Sequence, residues 1–192
     1  MKKLLMFAML FMLVFAAACS QDSEDTGNNK EEGTEETNSE EENAAADEAD
    51  LKSDLLTFQA EVVDVLQANH AAFGEFAAAK TTFHDAEVAA EEKPTEEELN
   101  TLMEAAKAAG PTAAEAIRAI EVPASLEQYK EDIEAALEDA AKSYEVRAEN
   151  VTIEAKEDAQ AEADALFTSF EEKFGVIFED LGLTAPSFSA EL

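Results

Sequence analysis

Two histidines are the first candidates for metal chemistry in this sequence. His70 and His84 would lie on similar sides of one helix, but about 21 Å apart, because each residue adds about 1.5 Å. They therefore cannot share one ion. A carboxylate-bridged di-iron site in a helical bundle needs Glu-x-x-His repeats, whereas Gln67 and Thr81 stand three residues before the two histidines. We expect both histidines to be structural or solvated.

Other arrangements for catalysis are weaker still. His84-Asp85 with Glu87 could hold a metal loosely at a surface. A catalytic carboxylate pair needs one desolvated member, and runs such as Glu96-Glu97-Glu98 are typical of solvated helix faces. Serine nucleophile motifs, phosphate-binding glycine loops and zinc-ligand spacings are absent from the sequence. We predict no catalytic residue, no metal site and no cofactor, hence no enzyme; an enzyme with a metal in a helical bundle is the least favoured alternative.

Arg147 is unusual because it lies on or beside an apolar stripe, among acids such as Glu145 and Glu149. In one interpretation its stem packs against the core while its guanidinium pairs with a carboxylate of another helix. In the other, it anchors an anion or a carboxylate in a groove near Tyr144. We expect Tyr129 and Tyr144 to be core residues with their hydroxyls at the rim.

The beginning of the chain indicates where these residues work. Lys2 and Lys3 precede an uncharged apolar run over residues 4–18. That run is shorter than the ~20 residues of a membrane-spanning helix, but it fits the apolar part of a signal peptide. It ends in Ala16-Ala17-Ala18-Cys19-Ser20, small residues followed by the single cysteine of the chain.

This junction resembles the lipobox of bacterial lipoproteins, with Ala16 where that family more often has Leu. The resemblance implies that the Cys19 thiol receives a diacylglycerol and that the signal peptide, residues 1–18, is removed. We therefore expect a protein held at the extracytoplasmic face of the cell membrane by lipid on Cys19. An ordinary secretory signal cut after Ala18 and an uncleaved N-terminal anchor remain open as alternatives.

Composition narrows the class of partner. The chain has 192 residues, a length sufficient for one modest domain and a linker. It carries 13 basic and 45 acidic side chains, which give a formal net charge of −32. Such a surface repels nucleic-acid phosphates and anionic lipid headgroups, so we expect no nucleic-acid binding. With one cysteine, an internal disulfide is excluded.

Residues 19–47 are acidic and polar, with almost nothing apolar before the alanines at 44–46. A segment of this composition cannot bury enough apolar surface to offset its ordering entropy. We predict a disordered acidic tether over 19–47 that holds the folded domain away from the membrane. An acidic, ion-collecting tail is the weaker alternative, because scattered glutamates in a coil offer no fixed coordination geometry.

The helical domain is predicted over residues 48–182. Apolar residues spaced by threes and fours indicate a first helix from Glu48 to about Ala90. Pro94 ends it, and the capping box Thr95-Glu96-Glu97-Glu98 opens a second helix. Because the apolar pattern continues across Gly110-Pro111, we favour a second helix kinked at Pro111 over two separate helices.

A third helix is predicted from about Ser125 to Leu181, after the turn at Val122-Pro123. Its apolar stripe thins over residues 152–165 and returns in a run rich in phenylalanine. Either one long helix projects past its partners or a bend returns the Phe-rich end to the core; we favour the continuous helix. The expected fold is all-α, an elongated antiparallel three-helix bundle followed by a loose tail over 183–192.

The turn Pro123-x-x-Leu126-x-x-Tyr129 resembles a pattern in small helical lipoproteins of Gram-positive bacteria, families that are mostly uncharacterised. The resemblance agrees with the anchor and the fold and supplies no reaction. We expect a non-catalytic structural or partner-binding module, whose Phe-rich stripe could contact a second copy or another surface protein. The alternative is a cation or small-ligand binding lipoprotein, using acidic helix faces or a pocket near Arg147 and Tyr144.

Overall fold

A computed structural model describes residues 37–154 and 158–192 of the chain, with side chains from residue 47 onward. The described part is helical, with no β-strand, which confirms the predicted all-α class. Four helices pack against each other, α2 on α1, α3 on α2 and α4 on α3. They are α1 Thr37–His84, α2 Glu96–Arg118, α3 Lys130–Glu149 and α4 Ala161–Asp180. The predicted signal peptide and the tether as far as residue 36 lie outside the described residues.

The first helix begins and ends earlier than the expected 48–90. It starts at Thr37, inside the predicted tether, where the alanines and glutamates are strong helix formers. It ends at His84, after which the Asp85 carboxylate accepts a hydrogen bond from the Glu87 backbone N–H at 2.8 Å and forms a turn. Lys93 Nζ donates to the Phe83 carbonyl at 3.1 Å and so satisfies one of the last carbonyls of α1.

The capping box of the second helix is confirmed. The Glu98 backbone N–H donates to Thr95 Oγ1 at 3.2 Å, and Glu98 Oε2 accepts from the Thr95 backbone N–H at 2.8 Å. The helix then continues through Pro111 to Arg118. The alternative of two separate helices is therefore wrong, and the kink expected at Pro111 stays a prediction.

The third and fourth helices replace the continuous helix that we favoured over residues 125–181. α3 ends at Glu149 and α4 begins at Ala161. The two run antiparallel: Asp139 Oδ2 accepts a hydrogen bond from Lys173 Nζ at 2.6 Å, whereas Arg147, farther along α3, pairs with Asp164, near the start of α4. The three-helix bundle is thus corrected to four helices. The physical reason is that the Phe-rich stripe needs cover, and folding back onto the chain supplies it.

The phenylalanines of α4 form the centre of the core with rings from distant segments. Phe170 and Phe174 are fully buried. Phe174 stacks on Phe58 of α1 with ring centroids 6.2 Å apart, and Phe188 lies 4.6 Å from Phe170 and 5.2 Å from Phe174. The tail over 183–192, expected to be loose, is therefore anchored by a buried aromatic side chain. Gln67 Nε2 also donates to the Glu191 carbonyl at 2.9 Å.

Arg118 links the end of α2 to α3. Its guanidinium donates to both carboxylate oxygens of Glu138, at 2.8 and 3.1 Å, and of Glu145, at 2.7 and 3.2 Å. These hydrogen bonds lower the pKa of both carboxyl groups. The stability that they contribute is therefore lost as the pH falls through the lowered pKa values. All three side chains are partly exposed, so the contribution of each pair is small, about 0.2–1 kcal/mol.

α2 and α3 approach closely at Gly110. A Cβ atom there would lie 2.2 Å from the Ala148 Cβ and 2.8 Å from the Tyr144 carbonyl oxygen. Such distances require the helix backbones to separate. A glycine is therefore needed in the middle of α2, and the close contact fixes the position of Tyr144 relative to α2.

We predict that Gly110→Ala lowers the free energy of unfolding by about 1–3 kcal/mol, because the added methyl group overpacks the crossing. Gly74→Ala is the matched control: a Cβ there meets nothing nearer than His70 Cδ2 at 4.0 Å. That change should instead stabilise the helix by up to about 1 kcal/mol. Urea denaturation of both variants measures the difference, and equal effects of the same sign would contradict the close crossing.

Candidate functional site

A cavity of about 350 Å³ lies between α1, α3, α4 and the C-terminal residues. The residues of α3 and α4 that line the cavity lie on one face of each helix. Residues three or four apart on a helix lie above one another, as do Tyr144 and Arg147 on α3. On α4 the same spacing aligns the lining residues at 164, 167 or 168, and 171. The charged and aromatic side chains in the walls are His70, Tyr144, Arg147, Asp164, Phe167 and Glu171.

The inner end of the cavity is built around Tyr144, which is 1% exposed. Its hydroxyl forms a hydrogen bond with His70 Nδ1 at 3.2 Å. Both the His70 ring and the Phe73 ring meet the tyrosine ring edge-on, with centroids 6.0 and 5.6 Å away. The histidine is thus held between α1 and α3, and its polar atom has a partner, which agrees with a structural role.

Burial and one nearby charge control titration at this end. Burial raises the pKa of Tyr144 to about 12, against the opposing effect of the Arg147 charge. Burial, and then the same Arg147 charge, lower the pKa of His70 below its usual 6.5. At neutral pH the tyrosine therefore keeps its proton and the imidazole is mainly uncharged. The positive field of Arg147 reaches both groups.

Arg147 pairs across the α3–α4 interface. Its Nη2 donates to Asp164 Oδ1 at 2.8 Å, and the arginine side chain is 23% exposed against 62% for the aspartate. The stem is therefore packed while the carboxylate lies at the rim, which confirms the first of the two interpretations from the sequence. Gln160 Nε2 donates to the Arg147 carbonyl at 3.3 Å and holds the start of α4 against the end of α3.

The opposite wall is negative and is held by the C-terminal segment. Glu171 Oε1 accepts the backbone N–H of Ser189 at 2.8 Å. Ser189 and Leu192 also line the cavity, so the burial of Phe188, the residue before Ser189, brings this wall into place. The cavity therefore combines one guanidinium with two carboxylates, a neutral imidazole and aromatic surface, a set of groups suited to binding.

Several residues singled out in the sequence lie elsewhere. His84 is exposed, and its Nε2 lies 2.7 Å from the Ile153 carbonyl. Tyr129 is partly buried against the core and donates from its hydroxyl to Asp180 Oδ2 at 2.7 Å, as expected of a rim hydroxyl. Asp85 is used in the turn after α1. Among the described residues no three His, Cys, Asp or Glu side chains are placed to hold a metal ion.

Sequence reasoning missed Asp164, Glu171 and Ser189. The spacing of Asp164, Phe167 and Glu171 marks one face of α4, but nothing in it shows that this face meets Arg147. Ser189 stands in a segment that we expected to be loose. These residues join the site only through contacts between distant parts of the chain.

Comparison with protein-family models, with curated proteins and with solved structures finds no match to this chain. Over residues 37–154 and 158–192, no helix has both the length and the apolar character needed to cross a membrane.

We predict that Arg147→Gln raises the pKa of His70 toward 6.5, because the positive charge that opposes protonation is removed. The lowered pKa also makes the stability of the wild type depend on pH. The contribution of His70 to the free energy of unfolding is present above the pKa near 6.5 of the unfolded state, and it is lost as the pH falls through the lowered pKa of the folded state. NMR titration of the imidazole carbons gives the pKa directly.

Lys107→Gln is the charge-matched control for this titration. Lys107 pairs with Glu104 on the surface of α2 and is not a cavity residue, so its loss should leave the His70 titration unchanged. A His70 pKa that does not move in Arg147→Gln, or that moves equally in both variants, would contradict a guanidinium field directed into the cavity.

Proposed function

We propose that this chain is a lipid-anchored lipoprotein of the extracytoplasmic face of the cell membrane. Its helical bundle acts as a non-catalytic binding module, and the cavity between α1, α3 and α4 is the binding site. Cys19 carries the lipid in this proposal, and the acidic stretch that follows it works as a tether. The anchor is supported by the apolar run over 4–18 and by the small residues that precede Cys19.

The observation that carries the binding function is the cavity itself. Its volume of about 350 Å³ lies at the low end of small-molecule sites, which span ~300–1,000 Å³. It is lined by a few convergent polar groups on an aromatic floor, the usual composition of such sites. A small molecule fits this description better than a macromolecule does.

A structural or protein-partner-binding module, the function that we favoured from the sequence, has less support from the geometry. The partner surface suggested for it was the Phe-rich stripe, but Phe170, Phe174 and Phe178 are buried in the core of the same chain. Among the side chains that the structure describes, the exposed large apolar ones are Leu56, Val176 and Leu192, and scattered residues of this kind are normal on a protein surface. The net charge of −32 disfavours nucleic acid as a partner.

The anchor is tested with Cys19→Ser in a bacterial host that processes lipoproteins. The wild type should incorporate labelled fatty acid and sediment with membranes, because the acyl chains hold it there. The variant should lose the label and either appear in the medium or accumulate as the precursor. Unchanged labelling and membrane retention would contradict lipidation at this cysteine.

The binding function is tested on the chain from residue 19 onward, carrying Cys19→Ser so that it stays unlipidated. A library of small molecules is screened by NMR, with the imidazole signals of His70 and His84 as reporters. Binding in the cavity should shift the His70 signals and leave those of His84 unchanged. A screen in which no compound shifts the His70 signals would contradict the proposed function.

A further inference from the structure

We propose that the cavity binds a small zwitterion, a molecule whose carboxylate pairs with Arg147 and whose ammonium group pairs with Asp164 and Glu171. This inference rests on the proposed binding function and names the class of ligand. It follows from the arrangement of charges in the walls, from the field of the whole chain and from the apolar surface between the charges.

The positive group of the cavity is held in a fixed place. Arg147 is 23% exposed and paired with Asp164, and its charge acts on His70 and Tyr144 at the inner end. An arginine presents five N–H donors in a planar fork, so a guanidinium that donates to one carboxylate can also bind a second. A ligand carboxylate is the matching group, since it accepts two parallel hydrogen bonds from such a fork.

The negative groups, Asp164 and Glu171, both lie on α4. Asp164 is 62% exposed at the rim. Glu171 accepts one hydrogen bond from the Ser189 backbone, while an ionised carboxylate has about four acceptor positions. Both can therefore accept N–H bonds from an incoming ammonium group. A zwitterion bound in this way would replace the ion pair between Arg147 and Asp164 by two pairs, one between its carboxylate and Arg147 and one between its ammonium group and Asp164.

A ligand with a single charge fits this cavity less well. An anion would approach a chain of net charge −32 and would share the cavity with two carboxylates. A cation would be attracted by that field but would lie beside the guanidinium. A zwitterion is neutral overall, and each of its ends has an opposite charge in the wall. Phe167 and Tyr144, which also line the cavity, supply apolar surface for the carbon atoms between its charges.

The experiment compares three probes of similar length: 5-aminopentanoic acid, which is a zwitterion at neutral pH, pentanoic acid and pentylamine. Each is titrated into the chain from residue 19 onward with Cys19→Ser, at constant salt, and binding is followed by the His70 signals and by calorimetry. We expect the zwitterion to bind about tenfold or more tightly than either single-charge probe, because each lost charge-assisted hydrogen bond has an effect of this size.

Two variants assign the ends of the ligand. Arg147→Gln should weaken binding of the zwitterion about tenfold and should not weaken that of pentylamine. Glu171→Gln should weaken the zwitterion and pentylamine but not pentanoic acid. Lys107→Gln, outside the cavity, is the control and should change none of the three affinities. Circular dichroism tests whether each variant is folded. If Arg147→Gln unfolds, Arg147→Lys is used in its place, because lysine keeps the positive charge but lacks the planar fork of donors.

The outcomes separate this inference from the function on which it rests. Equal or tighter binding of pentylamine would make the site an organic-cation site and would overturn the zwitterion, as would preferential binding of pentanoic acid. If no probe of this series binds while other small molecules shift the His70 signals, the ligand class is wrong and the binding function stands. If no compound at all shifts those signals, both fail.

Discussion

The antiparallel return of α4 along α3 is the arrangement on which both the core and the cavity depend. Two kinds of interaction hold it. The first is apolar packing: burial of a phenylalanine side chain contributes about 1.5–3 kcal/mol, and Phe170, Phe174 and Phe178 are all buried.

The second is a polar link between the two helices, in which Asp139 of α3 accepts hydrogen bonds from Lys173 and Ser169 of α4. Burial acts to raise the pKa of Asp139, but the hydrogen bonds and nearby lysine charges outweigh it and lower that pKa. Lys173 is 41% exposed, and partly exposed pairs contribute little, ~0–1 kcal/mol. The aromatic core therefore supplies most of the stability of the return, and the polar link fixes its register.

The same return creates the site. It brings the acidic face of α4 opposite Arg147 and leaves room for His70 of α1 at the inner end. The C-terminal segment packs against the aromatic core, because Phe188 lies beside Phe170 and Phe174. With that residue in place, the next one, Ser189, reaches Glu171 and completes the wall. The chain thus builds a polar cavity at the edge of its hydrophobic core, and the charges around the cavity are positioned by apolar packing.

Local signals in the sequence predicted local structure well. The capping box at Thr95 and the ion pair of Arg147 with another helix were both accessible from residue types and spacing, whereas the first helix ends at His84, before the predicted stop at Pro94. The reversal between α3 and α4 was not. Its turn carries no proline, and the helical pattern resumes in phase with no strong stop signal. Deciding between a continuous and a folded helix requires knowing what covers the phenylalanines, which is a contact between residues far apart in the chain. The same limit applies to Glu171 and Ser189, which become part of one wall only after Phe188 is buried.

The central claim is that α4 folds back on α3 to form the core and the cavity. The most direct measurement is the distance between spin labels at Ala135 and Glu172, both exposed, in the chain with Cys19→Ser. Ala135 lies at the level of Lys173, whose Nζ is 3.4 Å from the Ala135 carbonyl. The folded arrangement predicts a short separation, set by the ~8–10 Å between packed helix axes and the length of the labels. A continuous helix would place the same residues about 55 Å apart at 1.5 Å per residue, and a distance in that range would contradict the account.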